Sequence, residues 1–99
     1  MYARMSTLEG LPDEMDEGLR QVKEHVLPLL QQQDGFKGFI ALGNRQSGKL
    51  IGITFWESEQ AMQASEEVGD RTRRDTAEDT GDTIEDVDRY EVGPFEMSG

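Results

Sequence analysis

Alternation of apolar and polar positions is clearest in Leu50-Ile51-Gly52-Ile53-Thr54-Phe55-Trp56, a run rich in β-branched and aromatic residues that stops abruptly at Glu57-Ser58. This pattern predicts a strand that ends at a helix N-cap. Ile51, Ile53 and Phe55 fall on one face of it, and Leu50, Gly52, Thr54 and Trp56 on the other. Neither face suits water, so the strand is expected to be central and covered on both sides. Upstream, Tyr2 to Leu8 alternates more loosely and predicts a first strand ended by Gly10. Leu11, Met15, Leu19, Val22, Val26, Leu29, Leu30 and Gln33 then recur at spacings of three and four. They mark the clearest helix of the chain, opened by Pro12 and an acidic first turn and stopped at Asp34-Gly35. Pro28 removes one backbone donor and is expected to kink its last turns.

Phe36 to Leu42 predicts a second strand, joined across Gly43-Asn44-Arg45-Gln46-Ser47-Gly48 to the run at 50–56 as a hairpin. Ser58 is expected to cap a second helix through Val68, weakening at Gly69 and continuing as a thin amphipathic segment toward Thr76. Gly81 breaks it, and a last strand of mixed polarity, from Thr83 or Ile84 to Val92, suits a sheet edge. The order βαββαβ predicts an α+β, ferredoxin-like fold: a four-stranded antiparallel sheet with both helices on one face. One sheet face is then bare, and since the strand at 50–56 is apolar on both sides, a second copy of the chain is the expected cover.

Composition narrows the function. Ninety-nine residues suit a single domain, 1–99, and the absence of cysteine excludes disulfides, thiolate metal sites and cysteine nucleophiles. The first residues carry no apolar signal core and no apolar run approaches ~18 residues, so a cytoplasmic protein is expected. The formal net charge is -11, and nearly all of it lies beyond residue 56. Such a surface repels phosphate backbones and anionic lipid, which argues against nucleic-acid and membrane partners.

Gly43 to Lys49 matches the phosphate-loop spacing G-x-x-x-x-G-K, but Leu50 stands where a hydroxyl residue is needed and a strand follows where a helix should. The acidic run Asp75, Glu78, Asp79, Asp82, Glu85, Asp86 fits no register of a calcium loop and reads as a solvated helix end. His25 is the only histidine, at the flank of the first helix's apolar stripe, so a histidine-rich metal site is impossible and no metal is expected. Its two readings are a half-buried surface group and a general base. No G-x-S-x-G elbow supports a serine hydrolase. Trp56 also has two readings: a core aromatic at a strand end, or one wall of a pocket left open by the small Gly52 and Thr54 on its face.

Gly35-Phe36-Lys37-Gly38, the glycine-containing hairpin, Ile53-Thr54-Phe55-Trp56-Glu57-Ser58-Glu59-Gln60-Ala61-Met62 and the closing Val87-Asp88-Arg89-Tyr90-Glu91-Val92 together resemble the antibiotic-biosynthesis monooxygenase superfamily over nearly the whole chain. The resemblance implies a homodimer whose two sheets face each other as an α+β barrel, with a pocket between sheet and helices in each subunit. It includes cofactor-independent monooxygenases acting on polycyclic phenols, and haem-degrading enzymes. The haem-degrading pattern wants the tryptophan, which Trp56 matches, an asparagine on the first strand and a histidine on the second helix. This chain has neither of the latter, which argues against haem degradation. The expected function is a cofactor-independent monooxygenase acting on a planar aromatic small molecule, with no cofactor and with Trp56, Thr54, Gly52, Arg4 and Tyr90 around the ligand; the alternative is a non-catalytic dimeric binding module. In the first reading Trp56 stacks on the ligand, and Arg4 and Tyr90 hold a phenolate or donate a hydrogen bond to it.

Overall fold

In the computed structural model, which describes residues 1–98, strands β1 (Tyr2–Glu9) and β3 (Lys49–Trp56) fill the centre of a sheet edged by β2 (Phe36–Gly43) and β4 (Thr83–Glu91). The order is β2-β3-β1-β4 and every neighbouring pair is antiparallel. This is the ferredoxin-like βαββαβ arrangement that the pattern predicts. Register fixes the faces: Trp56, Thr54, Gly52 and Leu50 of β3 stand opposite Tyr2, Arg4, Ser6 and Leu8 of β1. The helices cover this side, where Trp56 packs with Val26, Leu30 and Met62, and Leu8 and Leu50 pack with Met15. The other side presents Met5, Ile51, Ile53 and Phe55, with Ile40 and Leu42 exposed on the edge strand β2.

The first helical stretch is a turn of 3-10 helix at Pro12–Glu14, then α1 (Met15–Gln21), a π-turn at Val22–Val26 and α2 (Leu27–Gln31). The expected kink takes the form of that π-turn. Pro28 offers no N–H to the carbonyl of Glu24 and its ring crowds it, and the widened turn, with the Leu27 N–H bonding the Val22 carbonyl, makes room. Ser58 caps the second helical stretch as its sequence predicts, its Oγ accepting from the Ala61 N–H at 3.0 Å. The stretch divides at Ser65 into α3 (Glu59–Ala64) and α4 (Glu66–Thr80), so the break falls before Gly69 and α4 outruns Thr76. Gly81, at φ +76, ends it in a left-handed cap.

The poor apolar stripe of α4 has a structural explanation. Its sheet-facing row is Gly69, Thr72, Thr76 and Thr80, all buried, and each threonine hydroxyl donates back to its own helix, to the carbonyls of Gly69, Thr72 and Thr76 in turn. Small side chains with internally satisfied hydroxyls let the helix lie close to the sheet without a large hydrophobic residue.

Candidate functional site

Arg4 sits in the middle of the central strand β1 on the helix-covered face, with 2 % of its surface exposed. A buried guanidinium needs partners, and three converge on Nη1: the Met62 carbonyl at 3.2 Å, Ser65 Oγ at 3.1 Å and Glu66 Oε2 at 3.0 Å. All three lie where α3 passes into α4. The guanidinium also stands 5.5 Å over the Trp56 ring, within cation–π range. Its other terminal nitrogen, Nη2, is buried and has no hydrogen-bond partner among the described residues. The approach is possible only because position 69 is glycine: a Cβ there would fall 2.6 Å from Nη2 and 2.9 Å from Cζ. Burial lowers the Arg4 pKa from its ordinary value and Glu66 pulls it back up. Glu66, held chiefly by its hydrogen bonds from Arg89 on β4, is kept below the usual carboxylate range.

Between the two core clusters lies a cavity of about 60 Å³. Its floor is Arg4 and Ser6 of β1 with Gly52 and Thr54 of β3; its roof is Gly69, Thr72, Arg73 and Thr76 of α4; Val22, Val26, Leu30 and Phe39 supply apolar walls. Arg73, with 10 % of its side chain exposed, reaches Ser6 Oγ at 3.4 Å and Asp70 at 3.8 Å. Burial and then the charge of Arg4 lower its pKa. The cavity is thus mostly apolar with two guanidinium groups and several hydroxyls, and none of its lining side chains is a histidine or a carboxylate.

Of the five residues named from the sequence, Arg4, Gly52 and Thr54 border this cavity and the other two do not. Trp56 lies behind it, wholly buried, its Nε1–H donating to Thr54 Oγ1 at 2.8 Å and its ring meeting Phe36 edge-on at 5.5 Å. An indole enclosed in this way offers no stacking surface. Tyr90 stands on the opposite side of the sheet, beside Ala3, and its hydroxyl donates to Asp88 at 3.1 Å, so it cannot hold a ligand's phenolate in the cavity. The cause is a β-bulge: the β1–β4 register pairs Leu8 with Ile84 but Thr7 with Asp86, and the extra residue reverses which side chains of β4 face the helices. His25 is exposed on the outer surface, 4.0 Å from Glu24, and takes no part. In the loop resembling a phosphate cradle, the amides of Gln46 and Ser47 are bonded to Asn44 Oδ1, which leaves them unavailable to a phosphate. Gly69 and Arg73 are the lining residues that the pattern passes over; the signal for them is the recurrence of small residues at 65, 69, 72 and 76, which marks a helix lying close to its neighbour.

The sequence profile of the family described as antibiotic biosynthesis monooxygenase matches residues 1–69. Among curated relatives, the uncharacterized protein Rv2558 of Mycobacterium tuberculosis is 43% identical over 67 residues, 68% of this chain and 28% of that protein. The uncharacterized Rv2557 of the same organism is 37% identical over 92 residues, 93% of this chain and 41% of that protein. The chain therefore spans less than half the length of these relatives. Among solved structures, a provisionally named antibiotic biosynthesis monooxygenase from Deinococcus radiodurans superposes with TM-score 0.74 at 22% identity, covering 100% of both chains. A monooxygenase from the ActVA-Orf6 gene of Streptomyces coelicolor, solved with nanaomycin D, superposes with TM-score 0.71 at 14% identity, covering 98% of this chain and 92% of that one. At these identities the structural matches establish the fold, and the profile match over more than half of the sequence establishes the family: this chain belongs to the antibiotic biosynthesis monooxygenase family.

Proposed function

We propose that the cavity between β1, β3 and α4 binds a small planar aromatic molecule and that the protein oxidises it with dioxygen, as a monooxygenase needing no cofactor. The observation that carries this reading is the cavity itself, in which apolar walls enclose a face of small residues, Gly52 and Thr54, and a buried cation, Arg4, with one donor unspent. The fold is shared with a monooxygenase from Streptomyces coelicolor that was solved with nanaomycin D. In such a reaction a phenol supplies its own electrons: one oxygen atom becomes a carbonyl on a ring carbon, the other leaves as water with two hydrogens of the substrate, and a quinone results. Arg4 stabilises negative charge on the phenolic oxygen as it develops. The bare side of the sheet, with Met5, Ile51, Ile53 and Phe55, meets a second copy to form a homodimer.

The lack of any carboxylate or imidazole on the cavity wall favours a second reading, a dimeric module that binds the aromatic molecule without turning it over. Oxygen uptake with hydroquinones and other quinols separates the two: consumption matched by a quinone that carries one more oxygen atom than the quinol, with water and not hydrogen peroxide as the other product, supports the oxygenase, and binding without uptake supports the module. Gly52→Val tests the location for both. A Cβ at 52 would meet only Phe39, at 3.4 and 3.6 Å, so the branched side chain fits beside the strand but projects into the cavity. Ligand binding should be abolished at a fold cost of no more than ~1–3 kcal/mol.

A further inference from the structure

Charge around the cavity does not balance. Among the described residues Arg4, Arg73, Arg74 and Arg89 form direct ion pairs with two carboxylates, Glu66 between Arg4 and Arg89 and Asp70 between Arg73 at 3.8 Å and Arg74 at 3.4 Å, while Asp88 adds its charge beside Arg89 alone. This excess of positive charge stands in a chain of net charge -11. Arg4 and Arg73 are the two members that line the cavity, and each has bonding capacity left: Nη2 of Arg4 is buried without a partner, and the contacts of Arg73 are long. A buried donor without an acceptor costs on the order of 1–3 kcal/mol, more when charged, so one kept beside a cavity favours an acceptor that enters it.

Because no histidine or carboxylate among the described residues lines the cavity to take up a proton, an occupant that pairs with the guanidinium groups as an anion at binding is one already ionised in solution. A simple phenol, with a pKa near 10, is neutral at pH 7, whereas an aromatic carboxylic acid, with a pKa of about 4, is an anion. Two planar guanidinium groups also match the paired oxygens of a carboxylate better than a single phenolate oxygen. We propose that Arg4 and Arg73 form a carboxylate clasp and that the ligand is a monocyclic aromatic carboxylate, its ring lying against Gly52, Phe39, Val26 and Leu30. This rests on the reading above that the cavity is the ligand site, and adds the ligand's class. Size favours a single ring. The cavity's 60 Å³ is well below the ~150 Å³ that admits one benzene ring in a protein core, so one ring already requires Arg73 to give up its long bond to Ser6 and turn to the ligand, and each further ring requires more of the lining to move.

Calorimetry on the whole protein with benzoate, benzamide, acetate and phenol, and oxygen uptake with 2,5-dihydroxybenzoate and hydroquinone, test the clasp. Benzoate should bind on the order of 10–100-fold more tightly than benzamide, the scale of a charge-assisted pair at a desolvated site. Arg73→Gln should remove that preference while leaving the melting temperature nearly unchanged, and Arg4→Lys should weaken benzoate. Benzamide binding as well as benzoate, a preference that survives Arg73→Gln, or acetate binding as tightly as benzoate overturns the proposal. Turnover of hydroquinone with no gain for 2,5-dihydroxybenzoate leaves the oxygenase reading standing and the clasp refuted; failure of every aromatic probe to bind refutes both.

Discussion

Replacing Gly69 by alanine sets two effects of opposite sign against each other. In the interior of a 15-residue helix the exchange should by itself stabilise the fold by about 1 kcal/mol. At this position the new Cβ would lie 2.6 Å from Arg4 Nη2, 2.9 Å from Cζ and 3.2 Å from Nε. Restoring an ordinary contact requires a shift of about 1 Å. A flexible side chain usually yields, but Arg4 is held on Nη1 by Met62, Ser65 and Glu66 at 3.0–3.2 Å and is pressed against Trp56. The shift stretches these bonds past useful length and crowds a packed interior, costing roughly 1–3 kcal/mol for overpacking and about 1.5–3 kcal/mol for each charged hydrogen bond lost. With one such bond lost, destabilisation wins by about 1.5–5 kcal/mol net, which in a chain of this size lowers the melting temperature by roughly 6–40 °C. Gly18→Ala is the control. It too lies in a helix, but its Cβ would meet Leu50 at 3.4 Å, an ordinary contact, so the propensity gain should survive and the variant should melt no lower than the parent. In an Arg4→Met background Gly69→Ala should turn neutral or stabilising, a coupling that calorimetric melting of the four proteins reads directly. Equal, stabilising effects at positions 18 and 69 would refute the lodging of Arg4 against α4.

Trp56 fluorescence should peak at short wavelength and resist acrylamide and iodide, because the ring is wholly buried; emission near that of free indole would contradict its enclosure. Glu66, its pKa lowered by Arg89 and then Arg4, contributes stability that is present above its unfolded pKa and is lost as pH falls below about 4.5 through the folded value. Glu66→Gln should flatten that acid limb of the unfolding curve, and an unchanged limb would rule out the ion pair. Light scattering should give twice the chain mass, and Ile53→Asp on the bare side of the sheet should halve it; a parent already monomeric at micromolar concentration defeats the dimer.

The period-two run at 50–56, the Ser58 cap and the glycine-bearing hairpin were legible because each is set by neighbours in sequence: alternation by the pleat, capping by one side chain and one amide, the turn by the Asn44 side chain and the positive φ of Gly48. The face of Tyr90 was not legible, since counting by twos from Ile84 puts it with the helices and only the bulge, a matter of partner register, reverses it. Nor was the path of α4. Its threonines look like a failed apolar stripe until each hydroxyl is seen bonded to its own helix. Arg4 could be read as inward-facing from parity alone, but the reason it is tolerated lies at Gly69, sixty-five residues away in sequence and in contact only once α4 crosses the sheet.

The threonine row also sets how firmly the far end of α4 is held to the sheet. A leucine buried at each of those positions would fasten α4 by about 1.5–3 kcal/mol apiece, whereas threonine, with one methyl and a hydroxyl already engaged, fastens it far less. The strong attachment is at one end, where Glu66 joins Arg4 on β1 and Arg89 on β4. The helix is therefore fastened by ion pairs near Glu66 and by smaller apolar contacts, among them Ala77 against the Leu8, Met15 and Leu50 cluster, toward Thr80, and its far end is the part expected to open at least cost. In native-state hydrogen exchange the amides of Thr76 to Thr80 should trade ahead of those of β1 and β3, and an occupant bridging floor and roof should slow them by the same free energy with which it binds.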